Sequence, residues 1–317
     1  MEAKTSKVAI IGAGAVGSTL AYAGLMRGLA RTVALYDINK AKVEAEALDL
    51  AQGIQFMPEA KVVGSDQIDV IEGSDVVVVT AGAKQQPGQT RMDLAGATIS
   101  LMDKVLPPLL EAAPNAIYIL VTNPVDVVTY AAIKKSGMDP ARMFGSGTVL
   151  DSSRLRHQIA QEVQVAVGNV HAYIAGEHGD TEVALWSSAS IGGVPLLEWV
   201  DENGVVVMTD EVRHRIHNDV VRSAYTIIEG KGATNYAIGA AGARIVEAVL
   251  GDQHRVLPVS TLTEFPGVGE VCMSLPAIVG RGGIVQQVDV RLSPGEHAAL
   301  AASARSIKET ASKFGVN

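Results

Sequence analysis

An α/β protein is predicted, with a parallel-sheet domain over 1–147 followed by an α+β domain over 148–317. Two observations carry this expectation. Up to Gly147, short Val/Ile-rich segments at 8–11, 33–36, 61–64, 75–80, 116–122 and 143–146 alternate with amphipathic helical stretches such as 17–27 and 40–52. Strands that are apolar throughout are buried on both faces, which requires helices above and below a parallel sheet. Beyond Gly147 the rhythm changes. A helix over 150–163 leads into strand-like segments at 170–175, 256–262, 270–279 and 284–292, which read as antiparallel. Long helices over 210–229, 236–250 and 294–314 complete this half. No repeat, low-complexity stretch or flexible linker separates the halves, so they are expected to share an interface.

The first strand runs straight into Gly12-Ala13-Gly14-Ala15-Val16-Gly17, and Asp37 follows 20 residues after Gly17 at the end of the second strand. Each part has a physical task in holding a dinucleotide. Gly12 permits a tight turn out of the strand, Gly14 a close approach of backbone to pyrophosphate, and Gly17 close packing of the new helix on the sheet. The helix N-terminus supplies free N–H groups and partial positive charge. Asp37 can accept hydrogen bonds from a ribose diol and would repel a 2′-phosphate, so the expected cofactor is NAD rather than NADP. A glycine-rich turn without function would leave Asp37 unexplained. The domain is therefore expected to be of Rossmann type. Its strand ends carry Gly12, Asp37, Gly82, Asn123 and Ser146, the edge at which open parallel sheets bind ligands.

Bulk composition narrows the class. Hydrophobic residues make up 48% and charged residues 19% of 317, ample for a core. With 26 basic and 34 acidic residues the net charge is −8, which argues against a nucleic-acid partner and for a cytoplasmic protein. The longest apolar runs, such as 76–83, are strand-length, so no membrane span is expected. No apolar stretch precedes the first strand, so no signal or transit peptide is expected. Cys272 is the single cysteine, which excludes an internal disulfide and suits a reducing compartment. No metal site is expected.

Three polar clusters are candidates for the chemistry that accompanies hydride transfer. The first is Gly176-Glu177-His178-Gly179-Asp180 after an apolar strand: glycines on both sides expose His178, an imidazole that titrates near neutrality. The remaining histidines in helical or loop settings (His157, His214, His217, His254 and His297) read as solvated surface. The second is Asp151-Ser152-Ser153-Arg154, in the first turns of a helix, where Asp151 and Arg154 project from one face. They form either a local ion pair at a helix start, or a functional set in which Asp151 orients His178 and Arg154 grips a carboxylate with two bonds. The third is the polar loop 81–91, either a solvated loop or a lid whose Arg91 swings in to polarise a carbonyl.

Taken together, these residues resemble the bacterial L-lactate dehydrogenases of the lactate/malate dehydrogenase family. The resemblance runs end to end and is most specific at 12–17, Thr122-Asn123-Pro124-Val125-Asp126, 151–154, 176–180 and Gly230-Lys231-Gly232-Ala233-Thr234. It implies His178 as proton donor and acceptor, Asp151 as its partner, Arg91 as the loop arginine and Arg154 as the carboxylate anchor. It also implies that Asn123 and Thr234 line the substrate pocket. Gly12, Gly14, Val16, Gly17, Asp37, Lys42, Gly82, Ala83, Thr122, Asn123 and Ser146 would meet NAD. By the same resemblance Gln85 is the loop position that separates lactate from malate enzymes, where malate dehydrogenases carry arginine. A neutral Gln85 leaves a second substrate carboxylate without a counter-charge, whereas the methyl group of pyruvate needs none. Lys84 and Arg91 are nearby cations.

Arg156 lies two residues beyond Arg154 and so points away from the substrate side of the helix. In allosteric members of the family the residues matching Arg156 and His171 bind fructose 1,6-bisphosphate at a twofold interface, so this sugar bisphosphate is an expected activator. The alternative is that Arg156 pairs with a surface acid and His171 caps a strand. The family also implies a homo-oligomer, usually a tetramer. The expected reaction is interconversion of pyruvate and L-lactate. Malate or another 2-hydroxy acid is the alternative substrate. A catalytically silent NAD-binding sensor is the alternative from another class, and it would require a broken catalytic set.

Overall fold

The computed structural model describes residues 6–83 and 91–316, with backbone alone at 91–93. In chain order the first half holds β1 (Lys7–Ile11), α1 (Ala15–Met26), β2 (Thr32–Tyr36), α2 (Lys40–Gln52), β3 (Lys61–Ser65), β4 (Val76–Val79), α3 (Arg91–Ala112), β5 (Ile117–Leu120), α4 (Val125–Ser136) and β6 (Met143–Gly145). The six strands pair in the order β3-β2-β1-β4-β5-β6, each parallel to its neighbour. Their side chains alternate between two cores, as a doubly covered sheet requires. Val77, Val79, Tyr118 and Leu120 pack with residues of α3 and α4 on one face; Val76, Val78, Ile117 and Ile119 pack with α1 and α2 on the other.

The second half continues with α5 (Val149–Glu162), β7 (Val170–His171), β8 (Ile174–Gly176), β9 (Glu182–Ala184), β10 (Ser190–Ile191), β11 (Val194–Pro195), α6 (Asp210–Lys231), α7 (Tyr236–Leu250), β12 (Arg255–Phe265), β13 (Gly269–Gly280), β14 (Gly283–Gln287) and α8 (Pro294–Ser312). The halves share more than an interface. β12 runs antiparallel to β6 through Ser260 opposite Gly145, and β13, β8 and β9 extend the same sheet. α7 and α8 close the two faces over it, while α5, α6 and β7–β10 build a third core around Leu155, Ile159, Ile174, Ile191 and Ile216.

Two expected strands are shorter than their apolar pattern. The segment 170–175 splits: β7 joins a small sheet with β10 and β11, and β8 joins the main one. Side chains of α5 and of Thr148 just before it divide it by satisfying its backbone. Arg156 Nε donates to the Ala172 carbonyl at 2.8 Å, the Ile174 N–H donates to Ser152 Oγ at 2.8 Å, and Thr148 Oγ1 donates to the Ile174 carbonyl at 2.6 Å. The segment 284–292 ends as a strand at Gln287, where the next position on β13 is Pro276, which has no N–H to continue the ladder. Among the described residues no helix is long and apolar enough to cross a membrane.

Candidate active site

The glycine loop leaves β1 at Gly12, whose φ of +102° lies in the left-handed region that glycine tolerates. A Cβ there would sit 2.9 Å from Thr80 Oγ1, and one on Gly17 would sit 1.9 Å from the Gly12 carbonyl oxygen, so loop and helix start are fitted to each other. Gly14 is different. It caps α1 in extended conformation, and a Cβ on it would meet nothing within 4 Å. The first turn of α1 holds no acid to neutralise its positive end. Asp37 accepts from the Ala13 N–H at 2.8 Å and from the Asn39 N–H at 2.9 Å, which ties the acid to the loop and leaves each oxygen a further lone pair. Open backbone at a helix N-terminus beside an anchored acid fits a dinucleotide.

The other expected cofactor residues border this edge. Gly82 leaves β4 so close to Thr122 that a Cβ would meet its Oγ1 at 1.9 Å. Thr122 and Ser146 are buried at the ends of β5 and β6. Val16 is half-buried against the core beneath α1, and Ala83 is half-buried beyond β4. Lys42 is exposed on α2, and its backbone N–H is capped by Asn39 Oδ1 at 3.1 Å.

Asp151 and Arg154 lie on α5, and the turn after β8 brings His178 to them. Asp151 Oδ2 meets His178 Nδ1 at 2.5 Å, while Arg154 Nη1 donates to Asp151 Oδ1 at 2.6 Å. The Asp151 side chain is only 2% exposed, against 23% for His178 and 14% for Arg154, so the acid is sealed behind two groups that remain partly exposed. Burial alone would lower the pKa of His178. The Asp151 carboxylate outweighs that, with Asp126 and Glu182 adding to it, and holds the imidazole at about 9. Burial opposes the charge of Asp151 in turn, and His178 and Arg154 overcome it and keep the carboxylate ionised. With Nδ1 committed to Asp151, Nε2 is the nitrogen available to a substrate oxygen.

The remaining expected substrate residues are less closely joined. Asn123 is exposed after β5, precedes a cis peptide to Pro124, and accepts from Thr98 Oγ1 at 3.3 Å through its carbonyl. Thr234 is half-buried in the turn between α6 and α7, and no hydrogen bond joins it to the triad among the described residues. Gln85 and Lys84 lie outside the described residues. Arg91 opens α3, and its side chain falls outside them as well. On the opposite side of α5, Arg156 stacks over Tyr173 at 5.0 Å. It lines one cleft of about 690 Å³ with the exposed His171 and with Arg244 and Arg255.

Two acids of this region escaped the sequence reading. Asp126, buried in the first turn of α4, accepts from the backbone N–H of His178 at 2.7 Å and from Ser274 Oγ at 3.2 Å. Burial raises it to about 6. Glu182, at the start of β9, is also buried, and its Oε1 has no hydrogen-bond partner among the described residues. The one local signal was an acid beside apolar residues, within Val125-Asp126-Val127-Val128 and ahead of Val183-Ala184-Leu185, and it does not say what either acid meets. One histidine is reassigned: His217 is half-buried rather than solvated, with Nε2 3.2 Å from the Glu182 carbonyl, because α6 presses that face onto β9.

Two family models match the chain in succession. Residues 6–145 match the lactate/malate dehydrogenase NAD-binding domain, and residues 148–314 match the lactate/malate dehydrogenase alpha/beta C-terminal domain. An L-lactate dehydrogenase of Bifidobacterium animalis subsp. lactis is 55% identical over 313 residues, covering 98% of either chain. One of Thermoanaerobacter pseudethanolicus is 45% identical over 304 residues, 96% of this chain and 97% of that one. Among solved structures, a lactate dehydrogenase from a Medee basin deep-sea metagenome library superposes with a TM-score of 0.94 at 35% identity, over 99% of this chain and all of that one (100%). The minor L-lactate dehydrogenase of Enterococcus mundtii gives 0.92 at 36%, over 98% and 99%.

Proposed function

The chain belongs to the lactate/malate dehydrogenase family, and from that premise we propose that it is an L-lactate dehydrogenase, interconverting pyruvate and L-lactate with NAD. The observation that carries this is the unbroken set Asp151–His178–Arg154, which a silent NAD-binding sensor has no reason to keep. When bound, the reduced cofactor supplies the hydride. Arg154 binds the carboxylate of the 2-oxo acid with the N–H groups not given to Asp151. His178, held protonated by Asp151, donates from Nε2 to the carbonyl oxygen; in the reverse direction the neutral ring accepts that proton. Arg91 polarises the carbonyl from the loop 81–91, and Asn123 and Thr234 complete the pocket.

Gln85 is assigned as the selector of pyruvate over oxaloacetate, because a second carboxylate beside a neutral side chain would go unpaired. Arg156 and His171, with the basic cleft they share, are assigned to fructose 1,6-bisphosphate in a homo-oligomer of four copies working in the cytoplasm. The test is NADH oxidation with pyruvate and oxaloacetate in parallel, each with and without the sugar bisphosphate. A large pyruvate preference is expected, with half-saturating pyruvate lowered by the effector. Faster turnover of oxaloacetate would overturn the role of Gln85. An unchanged pyruvate curve would overturn that of Arg156 and His171.

A further inference from the structure

Glu182 is a buried acid for which the reaction above has no use. It lies four residues after His178, opposite Gly176 across the β8–β9 pair, and its N–H donates to the Gly179 carbonyl at 3.2 Å. Its backbone thus closes the turn that presents His178. The residue is 6% exposed, and its Oε1 has no hydrogen-bond partner among the described residues. An ionised carboxyl with an oxygen buried in this way is strongly unfavourable unless a cation faces it.

Among the described residues, the cations whose charge reaches it are committed elsewhere. Asp151 and Asp180 repel a charge on Glu182, while His178 and Arg154 attract it, but both of the latter are bonded to Asp151. Glu177, on the same turn, is held by the Thr181 hydroxyl at 2.5 Å. Glu182 also lines a cleft of about 570 Å³ shared with α6 and α8. There Arg213 is ion-paired with Asp210, His214 is exposed, and burial favours the neutral form of His217. Glu296 of α8 accepts from the N–H groups of Ser187 and Ser293. We propose that Glu182 is a positioning residue for the reaction: as a neutral acid it leaves Arg154 and the His178–Asp151 pair to the substrate, and as a carboxylate it competes with the substrate carboxylate for both.

Burial first, then the charge of Asp151, raises this acid to about 8, so it is neutral at neutral pH and ionises just above. Binding of a 2-oxo acid then depends on two protons at alkaline pH, one on His178 and one on Glu182, rather than on His178 alone. The inference rests on the reading of the site as a 2-oxo acid reductase. Its test is the KM for pyruvate against pH in the wild type and in Glu182→Gln, with Glu182→Met as a second neutral variant of similar length. Above the titration of both groups the wild-type KM should climb about a hundredfold per pH unit, and that of a neutral variant about tenfold, since one proton fewer is linked. Equal slopes in all three proteins would overturn the proposal. Infrared difference spectra of wild type against Glu182→Gln give a reading that needs no turnover. A protonated-carboxyl band present at neutral pH and lost as pH passes about 8 is expected, and its absence at neutral pH would overturn the proposal. If pyruvate is inert and oxaloacetate is reduced, the substrate assignment fails, and the slopes, measured with oxaloacetate, still decide the role of Glu182.

Discussion

His178 owes its raised basicity to a carboxylate that solvent hardly reaches. A positioned acid–base group is worth about 10²–10⁴-fold, so His178→Ala should lower kcat with pyruvate by that much, measured at saturating NADH. Arg154→Lys tests the other arm of the set. A lysine keeps the charge but loses the two-pronged geometry. One lost charged hydrogen bond costs about 1.5–3 kcal/mol, so KM for pyruvate should rise roughly ten- to hundredfold with NADH binding unchanged. At this scale the sequence was readable wherever partners are close along the chain or a turn advertises them. Asp151 and Arg154 share one helix face, and His178 stands between glycines. Asp126 was not readable, because its bond to His178 spans 52 positions and only the folded α4 and β8 bring the two together. Glu182 stayed hidden for a similar reason: in the sequence it is one acid in a short strand, and only burial makes it chemically unusual.

Elements followed their patterns where both faces are buried. The six parallel strands and α1 and α2 fall within a few residues of expectation, because apolar runs bounded by glycine and polar residues leave few alternatives. Strands β7, β8 and β14 departed from the pattern, because side chains of α5 and a proline on β13 decide where pairing stops, and neither is local in sequence. The glycine loop offers a test at the same scale. Gly14→Ala meets no protein atom within 4 Å and should leave the melting temperature nearly unchanged while weakening NADH binding. Gly17→Ala drives a methyl into the Gly12 carbonyl and should destabilise the fold by about 1–3 kcal/mol. Thermal melts beside NADH titrations separate the two. A stable Gly14→Ala that binds NADH as tightly as wild type would remove Gly14 from the cofactor site.

For the whole molecule, one sheet runs from the strand that leads into the glycine loop to the strand that leads to His178, so the two turns are carried by a single continuous layer. Continuity of the sheet was not legible, since β6 and β12 meet through one residue pair. The protons of the site should also appear in global stability. His178 is raised from 6.5 to about 9 and Glu182 from 4.5 to about 8. Each binds its proton more tightly folded than unfolded, so each contributes stability that is full below its ordinary value and lost as pH rises through its folded one. The melting temperature should therefore fall from about pH 4.5 to 9, first through Glu182 and then through His178, and the fall up to about pH 8 should be shallower in Glu182→Gln.

The most direct test of the central claim, that Asp151 holds His178 as the proton donor to pyruvate, is the pH dependence of kcat/KM for pyruvate in wild type and Asp151→Asn. Removing the carboxylate withdraws the main support of the imidazolium while keeping side-chain size. The alkaline limb should move down by about one unit or more, toward the ordinary histidine value, and activity at neutral pH should drop with it. An alkaline limb at the same pH in both proteins would contradict the claim.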